Sequence, residues 1–590
     1  MKRKNKDKEN KKTKKEFIIQ DTEKTTNIKF TILAIIAIIL FSAVLTPVSF
    51  QNDTFYTIKI GEHIIETGSI DLQDPFSWHE GLPYFYPHWL YDVIIYLIYS
   101  AFGFMGIFVS TVILSCLLGI TIYITNVEIS KNRLFSFLVT LGIMYLMKPF
   151  ITARAQLLTF ILFELEILFI ERFLKTKKPI YAIGLFLIAL TIANVHSAVW
   201  PFFFVLVLPY IAEYILNLDY IKLIYIIRNK IYKTSLKYYE IRSKKCSKEN
   251  KKEKYINNIN KTKEKLDELP DKTKKIRERQ EKRRKNPYRL KMVKEDACKW
   301  LIIIMLICIV TGFLTPIKDM PFTYTYKIMQ GNTTKSISEH LPLTLINYKP
   351  LMIILVAFIA LLVLTDTKIR LKDLFMISGL GLLMFMTKRQ MSMFYIFGGA
   401  IFTKLISDFF EKYDKGGSLE FERVMNSLLG TIATMLLIIL FMFLQIEPKM
   451  DDEFVNKKSY PVEAAAYIKD NLDLDSIKLF NEYNYGSYLL FEDIPVFIDS
   501  RCDLYTPQFN QTEDYPEGRD IFSDYIKSSN ISTYYGDIFD KYEITHVILA
   551  KGSRLNTLIS EDHDKYREIY CDNNFCIYEI AKEQEFTDLE

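Results

Sequence analysis

Apolar and polar residues follow one another along this chain in long blocks, not in the short periods of a water-soluble fold. The first block, Phe30 to Phe50, is an uncharged run of 21 residues, enough in helical form to cross the roughly 30 Å of a bilayer's hydrocarbon. It follows a charged tail and has no small-residue cleavage site, which reads as a retained signal anchor. Further apolar runs occupy 104–126, 134–150, 157–171, 179–195, 198–217, 300–315, 350–365, 374–387, 391–408 and 425–445. The pattern therefore predicts about eleven transmembrane helices. The stretch from Trp89 to Ser100 is apolar but short and carries Asp92, so it is expected to lie at or dip into the interface.

Beyond Leu444 the pattern shortens. Tyr460-Pro461 predicts a helix start running to about Asn471, with Ala464, Ala465, Tyr467 and Ile468 at helical spacing. The segments IKLFN, YLLF, PVFID, HVILA and the two around CDNNFC predict strands. The expected fold is a polytopic α-helical membrane protein with a C-terminal soluble α/β domain. Its parts are a basic tail at 1–28, a transmembrane domain at 29–445 with a first outer loop at 51–103 and a basic insert at 218–297, and the α/β domain at 446–590.

Charge orients this arrangement. From Lys2 to Glu16 there are nine Lys/Arg against three acids, and from Lys222 to Lys294 there are 27 against 9. From Glu447 to Glu590 the balance reverses to 14 against 31. The positive-inside rule places the two basic pieces in the cytoplasm and the acidic one across the membrane. Eleven spans make the connecting loops alternate in Lys/Arg content, with Lys131, Arg172, Lys368 and Lys412 on the basic side. Seven cysteines in 590 residues exclude a secreted disulfide scaffold, although Cys571 and Cys576 could pair on an outer face or remain reduced thiols. The basic insert lacks a heptad pattern and is expected to be partly helical, solvated and drawn to anionic lipids. Its few aromatic residues speak against nucleic-acid binding.

This topology gathers polar residues at span ends on the outer face: Asp53, Asp74, His79, Glu80 and His88, then Arg154 and Gln156, Asn194 and His196, Glu339 and His340, and Lys388 with Arg389. Each alone is open to a bland explanation, a helix cap or a side chain reaching to headgroups. Together they suggest a site. A carboxylate can accept a proton from an attacking hydroxyl, and Arg or Lys can stabilise a departing phosphate. His79, His88, Asp74 and Glu80 could in principle gather a divalent metal, but no ligand spacing supports one, and no cofactor is expected. Glu164 and Glu166 fall inside a span close to Arg172, where a structural polar contact between helices is the expected account.

The stretch NDTFYTIKIGEHIIETGSIDLQDPFSWHEGLPYFYPHWL resembles the first outer loop of the polyprenyl-phosphate-sugar-dependent membrane glycosyltransferases of the GT-C superfamily. The resemblance rests on Asp53, Gly61, Gly68 and the turn Asp74-Pro75-Phe76-Ser77. RAQLLTF at Arg154, NVHS at Asn194 to Ser197, and the later NEYNYGSYLL and FIDSRCDLY are similar to a largely uncharacterised bacterial branch of that superfamily. It implies a cell-envelope enzyme moving a sugar from a polyprenyl-phosphate carrier to a glycan, lipid or protein acceptor outside the cell. Asp53 would be the catalytic base, with Asp74, His79, His88, Arg154, Gln156, Asn194, His196, Lys388 and Arg389 as substrate-binding candidates. Two rivals stay open at this point: a transporter or flippase for a lipid-linked or small solute, and a non-catalytic assembly or sensory protein.

Overall fold

Every apolar run of the sequence is helical in the computed structural model, which describes residues 28–70, 73–246, 248–285, 290–331, 337–449 and 451–581. All but the last residue of the basic tail at 1–28 lies outside the described residues. In chain order the helices up to residue 446 are α1 (Ile28–Leu45), α2 (Asn52–Thr67), α3 (Trp89–Ser130), α4 (Arg133–Met147), α5 (Ala155–Thr176), α6 (Pro179–Val195), α7 (Trp200–Leu216), α8 (Tyr220–Lys245), α9 (Glu249–Lys285), α10 (Cys298–Cys308), α11 (Met320–Gln330), α12 (Lys349–Leu364), α13 (Leu371–Met386), α14 (Lys388–Tyr413), α15 (Lys415–Asn426) and α16 (Leu428–Ile446).

Among the described residues, six stretches are long and apolar enough to cross a membrane: Ile28–Leu45, Trp89–Ser130, Arg133–Phe150, Ser197–Leu216, Lys388–Tyr413 and Leu428–Ile446. Shorter apolar helices cover Pro179–Val195, Cys298–Phe313 and Lys349–Leu364. Their outward faces are aliphatic. In α16, Leu428, Leu429, Leu437 and Phe443 all lie open, a surface that only lipid or another apolar partner would cover. The chain is thus a membrane protein.

α5 and α13 carry charges because they turn them inward. Lys372 is ion-paired with Glu171, Lys404 reaches Asp373 at 2.8 Å, and Arg370 reaches Glu213 at 2.7 Å. Glu164 and Glu166 are buried without an ion pair among the described residues. The expected polar contact between helices is not seen among the described residues, and the nearby Arg172 points to Glu128 at 3.6 Å.

The stretch from Trp89, expected at the interface, is the first limb of α3, which bends at Gly103 (φ 62°, ψ −157°), a conformation open to glycine and little else. The basic insert is more ordered than its charge implied. α8 and α9 form a helical hairpin closed by Arg277 and Asp219 at 2.9 Å, and Tyr239 packs on Tyr255 within its seam.

After α16 come α17 (Val462–Asn471), β3 (Leu479–Phe480), α18 (Gly486–Phe491), α19 (Ile521–Ser529), α20 (Tyr535–Tyr542), β4 (His546–Ala550), α21 (Arg554–Ile559), β5 (Tyr566–Cys571) and β6 (Phe575–Ile580); earlier, β1 (Leu290–Lys291) and β2 (Ile369–Arg370) pair in parallel. The four later strands form one mixed sheet in the order β3-β4-β6-β5. Cys571 and Cys576 are joined across its β5–β6 hairpin as a disulfide. Two expectations fail locally: YLLF lies in helix α18, and PVFID is extended chain whose Val496 bridges Ser77.

What positions the site is a shared core. Phe55, Tyr86 and Tyr91 from the first outer loop and α3 are buried in one cluster with Leu479, Phe497 and Val547 of the C-terminal part. Trp78 donates its indole N–H to the Leu479 carbonyl at 3.0 Å, and Asn52 donates to the Tyr483 carbonyl at 2.9 Å. The C-terminal part therefore packs on the first outer loop. A second core fills the helical bundle around Leu118, Phe160, Phe203 and Met384.

Candidate functional site

A cavity of about 1250 Å³ opens where the loop 51–103, the ends of the membrane helices and the C-terminal part meet. Asp53, His88, Arg154, Gln156, His196 and Arg389 line it, together with Glu339 and His340. Asp53 sits in the first turn of α2, where a carboxylate is favoured by the helix dipole. Arg154 is the residue before α5, and its Nε lies 3.0 Å from Asp53 Oδ2. Its Nη1 is 3.6 Å from Glu339 Oε1, so one guanidinium stands between two carboxylates.

Arg389 enters from the start of α14. Its amide donates to the Glu339 carbonyl at 3.0 Å, and its guanidinium forms no ion pair among the described residues. Burial, with Arg389 close by, pushes the His340 pKa down to about 4, so this ring is neutral near pH 7.

His88 precedes α3. Its Nδ1 is 2.6 Å from Asp92 Oδ1, one turn along the helix, and its Nε2 is 3.1 Å from the Tyr56 hydroxyl. Burial works against a charged His88, but the attraction and hydrogen bond of Asp92 outweigh it and raise the pKa above the usual imidazole value. His196, 6.4 Å away ring to ring, is held by Thr159 at its Nδ1. The cavity floor brings in residues the sequence pattern did not single out as ligands: Tyr324, which donates to Asp503, with Cys502 and Tyr483. Burial raises the Asp503 pKa, against the pull of the Tyr324 and Cys502 hydrogen bonds.

Four of the expected ligands lie off the cavity wall. Asp74 is buried under the DPF turn, accepting the Ser77 N–H at 2.9 Å and pairing with Arg501 at 2.6 Å. Arg501 is also held by Asp499, whose other partner is the Tyr505 hydroxyl. His79 is buried with its Nε2 2.9 Å from the Phe497 carbonyl, and burial pushes its pKa down to about 3. Asn194 donates to the carbonyls of Leu190 and Leu314. The Lys388 side chain is not part of the wall, while its amide donates to the Leu341 carbonyl. Of the carboxylates lining the cavity, Asp53 and Glu339 are turned to Arg154 and Asp503 accepts from Tyr324. Among the described residues, Glu568, Cys571 and Cys576 lie within ligand distance of one another, but the two thiols are used in the disulfide.

These elements form a helical membrane bundle whose loop 51–103 and C-terminal part enclose a cavity, a fold shared with a solved oligosaccharyltransferase. The chain superposes on the crystal structure of the oligosaccharyltransferase of Archaeoglobus fulgidus in its apo form with a TM-score of 0.51, covering 94% of this chain and 74% of that one at 11% identity. No protein-family profile and no curated protein sequence matches the chain.

Proposed function

We propose that this protein transfers a glycosyl group from a polyprenyl-phosphate carrier to an extracytoplasmic acceptor at this cavity. The observation that carries the reading is the convergence of the Asp53 carboxylate with the Arg154 and Arg389 guanidinium groups on one cavity within a glycosyltransferase-like fold. In the transfer the acceptor hydroxyl gives its proton to Asp53 as its oxygen bonds to the anomeric carbon. The bond from that carbon to the carrier phosphate breaks, and the phosphate leaves with the electron pair. Arg389 has no competing ion pair among the described residues and is suited to grip the phosphate in two-point contact. Arg154 sets the orientation of Asp53. Gln156, His88 and His196 face the space where sugar or acceptor hydroxyls would lie. Asp74, His79, Asn194 and Lys388 act from behind the wall by fixing the segments that form it.

Eleven spans, a cytoplasmic N-terminus and an extracytoplasmic C-terminal domain belong to the same proposal, supported by a helix at each apolar run and by the alternation of Lys/Arg between loops. The test is a transfer assay on the full chain in lipid nanodiscs with a radiolabelled polyprenyl-phosphate sugar. Asp53→Asn and Arg389→Ala should each lower turnover by about 100-fold or more; full activity in both variants would overturn the reading.

A second reading, a proton- or ion-coupled transporter, is favoured by Glu164 and Glu166, buried without an ion pair among the described residues. Uptake into proteoliposomes that survives Asp53→Asn but is lost in Glu164→Gln/Glu166→Gln would select it.

A further inference from the structure

The hairpin of α8 and α9 leaves one side of α8 unaccounted for. Ile221, Tyr225, Tyr232, Leu236 and Tyr239 recur on the face that is buried or half-buried in the hairpin. On the other side of the helix Leu223, Ile224, Ile227, Ile231, Tyr238 and Ile241 also recur at helical spacing, and each is 45–53% exposed. A helix that had only to pair with α9 would need the first stripe and not the second.

Beside the exposed stripe runs a row of lysines. Lys222, Lys230, Lys233, Lys237 and Lys244 share one face by their spacing. Lys230, Lys233 and Lys237 line a shallow groove of about 590 Å³ together with Asn229 and Thr234. Within α8 there are eight Lys/Arg and a single acid, Glu240. An apolar stripe flanked by cations is the pattern of a helix that lies in a membrane surface. Position agrees with this, because α7 ends at Leu216 and α8 begins at Tyr220, only a short turn from the membrane helix.

We propose that α8 lies in the headgroup layer of the adjoining leaflet, its isoleucine stripe at the acyl boundary and its lysine row on the phosphates of anionic phospholipids. α9 then covers the tyrosine face from the water side. A partner protein on the same stripe is the competing occupant, but such a partner would leave the lysine row beside it without a reason. The inference does not depend on the chemistry of the outer cavity.

The test is hydrogen exchange of the 220–245 segment, read by mass spectrometry on the full chain in two nanodiscs, one of phosphatidylcholine alone and one with about a third phosphatidylglycerol. Exchange in this segment should be slower by roughly fivefold or more in the anionic disc. The variant Lys230→Gln/Lys233→Gln/Lys237→Gln should lose most of that difference while exchange in the membrane helices stays unchanged. Equal exchange in the two discs would overturn the proposal. So would protection that rises with protein concentration in detergent without phospholipid, which would assign the stripe to a second copy of the chain.

Discussion

Arg154 Nε lies 3.0 Å from Asp53 Oδ2 on the cavity lining, and this pair fixes what each residue can do. A carboxylate gripped from one side presents its free oxygen in a fixed direction, as proton transfer to a positioned base requires. Arg154→Ala should therefore cost activity mainly through loss of orientation, with kcat falling by about 10- to 100-fold. Arg154→Lys, which keeps the charge but not the fork, should recover only part of it. Steady-state kinetics in nanodiscs would show this; full rescue by lysine would reduce the pair to simple charge balance.

His88 should impose an alkaline limit on the reaction. Its pKa is raised because Asp92 favours the protonated ring, so the cationic form is present below that pKa and is lost as pH rises through it. The groups facing the ring are Asp92, Tyr56, Asp53, Arg389 and His196. In Asp92→Asn burial acts without its counterweight, and the descending limb of kcat/KM should move to lower pH by about one unit or more. A loss of stability with no shift of the limb would make Asp92 merely structural.

Gly61 sets the distance between α2 and α3. A Cβ there would stand 2.2 Å from the Asp92 carbonyl oxygen and 2.6 Å from Tyr96 Cβ. Alanine favours a helix interior by up to about 1 kcal/mol over glycine, but the forced separation should outweigh it, for a net loss of roughly 1–3 kcal/mol. Gly61→Ala should lower the melting temperature in detergent and also weaken catalysis, since the displaced turn carries His88 and Asp92. An unchanged melting temperature would show that the two helices slide apart freely.

The membrane helices were legible in the sequence because hydrocarbon leaves the backbone little alternative, and an uncharged run such as Phe30 to Phe50 has few other readings. The site was legible only as a set of residues on one face. Which of them meet depends on how the C-terminal part packs on the outer loop, and no local spacing reports that Arg501 reaches back to Asp74. One signal was available: His88 and Asp92, four residues apart, share a helix face, and Asp92 stood out in an apolar stretch. YLLF misled because four apolar residues cannot separate a buried strand from a buried helix. The insert misled for a different reason. Its charge total concealed the tyrosine seam, exemplified by Tyr239 on Tyr255, that lets α8 and α9 fold together.

His79 should make the junction between the outer loop and the C-terminal part sensitive to acid. The ring is buried against Phe497, and its pKa is pushed down to about 3 from an unfolded value near 6.5. A lowered pKa means that the unfolded chain takes up the proton first, so stability is complete above about pH 6.5 and declines as pH falls toward 3. The full shift corresponds to a loss on the order of 3–5 kcal/mol. His79→Gln can still donate an amide N–H to the Phe497 carbonyl but does not titrate. Melting curves of the two proteins from neutral pH to about pH 4 should diverge, the wild type losing more melting temperature than the variant. Parallel curves would mean that acid enters this junction by another group.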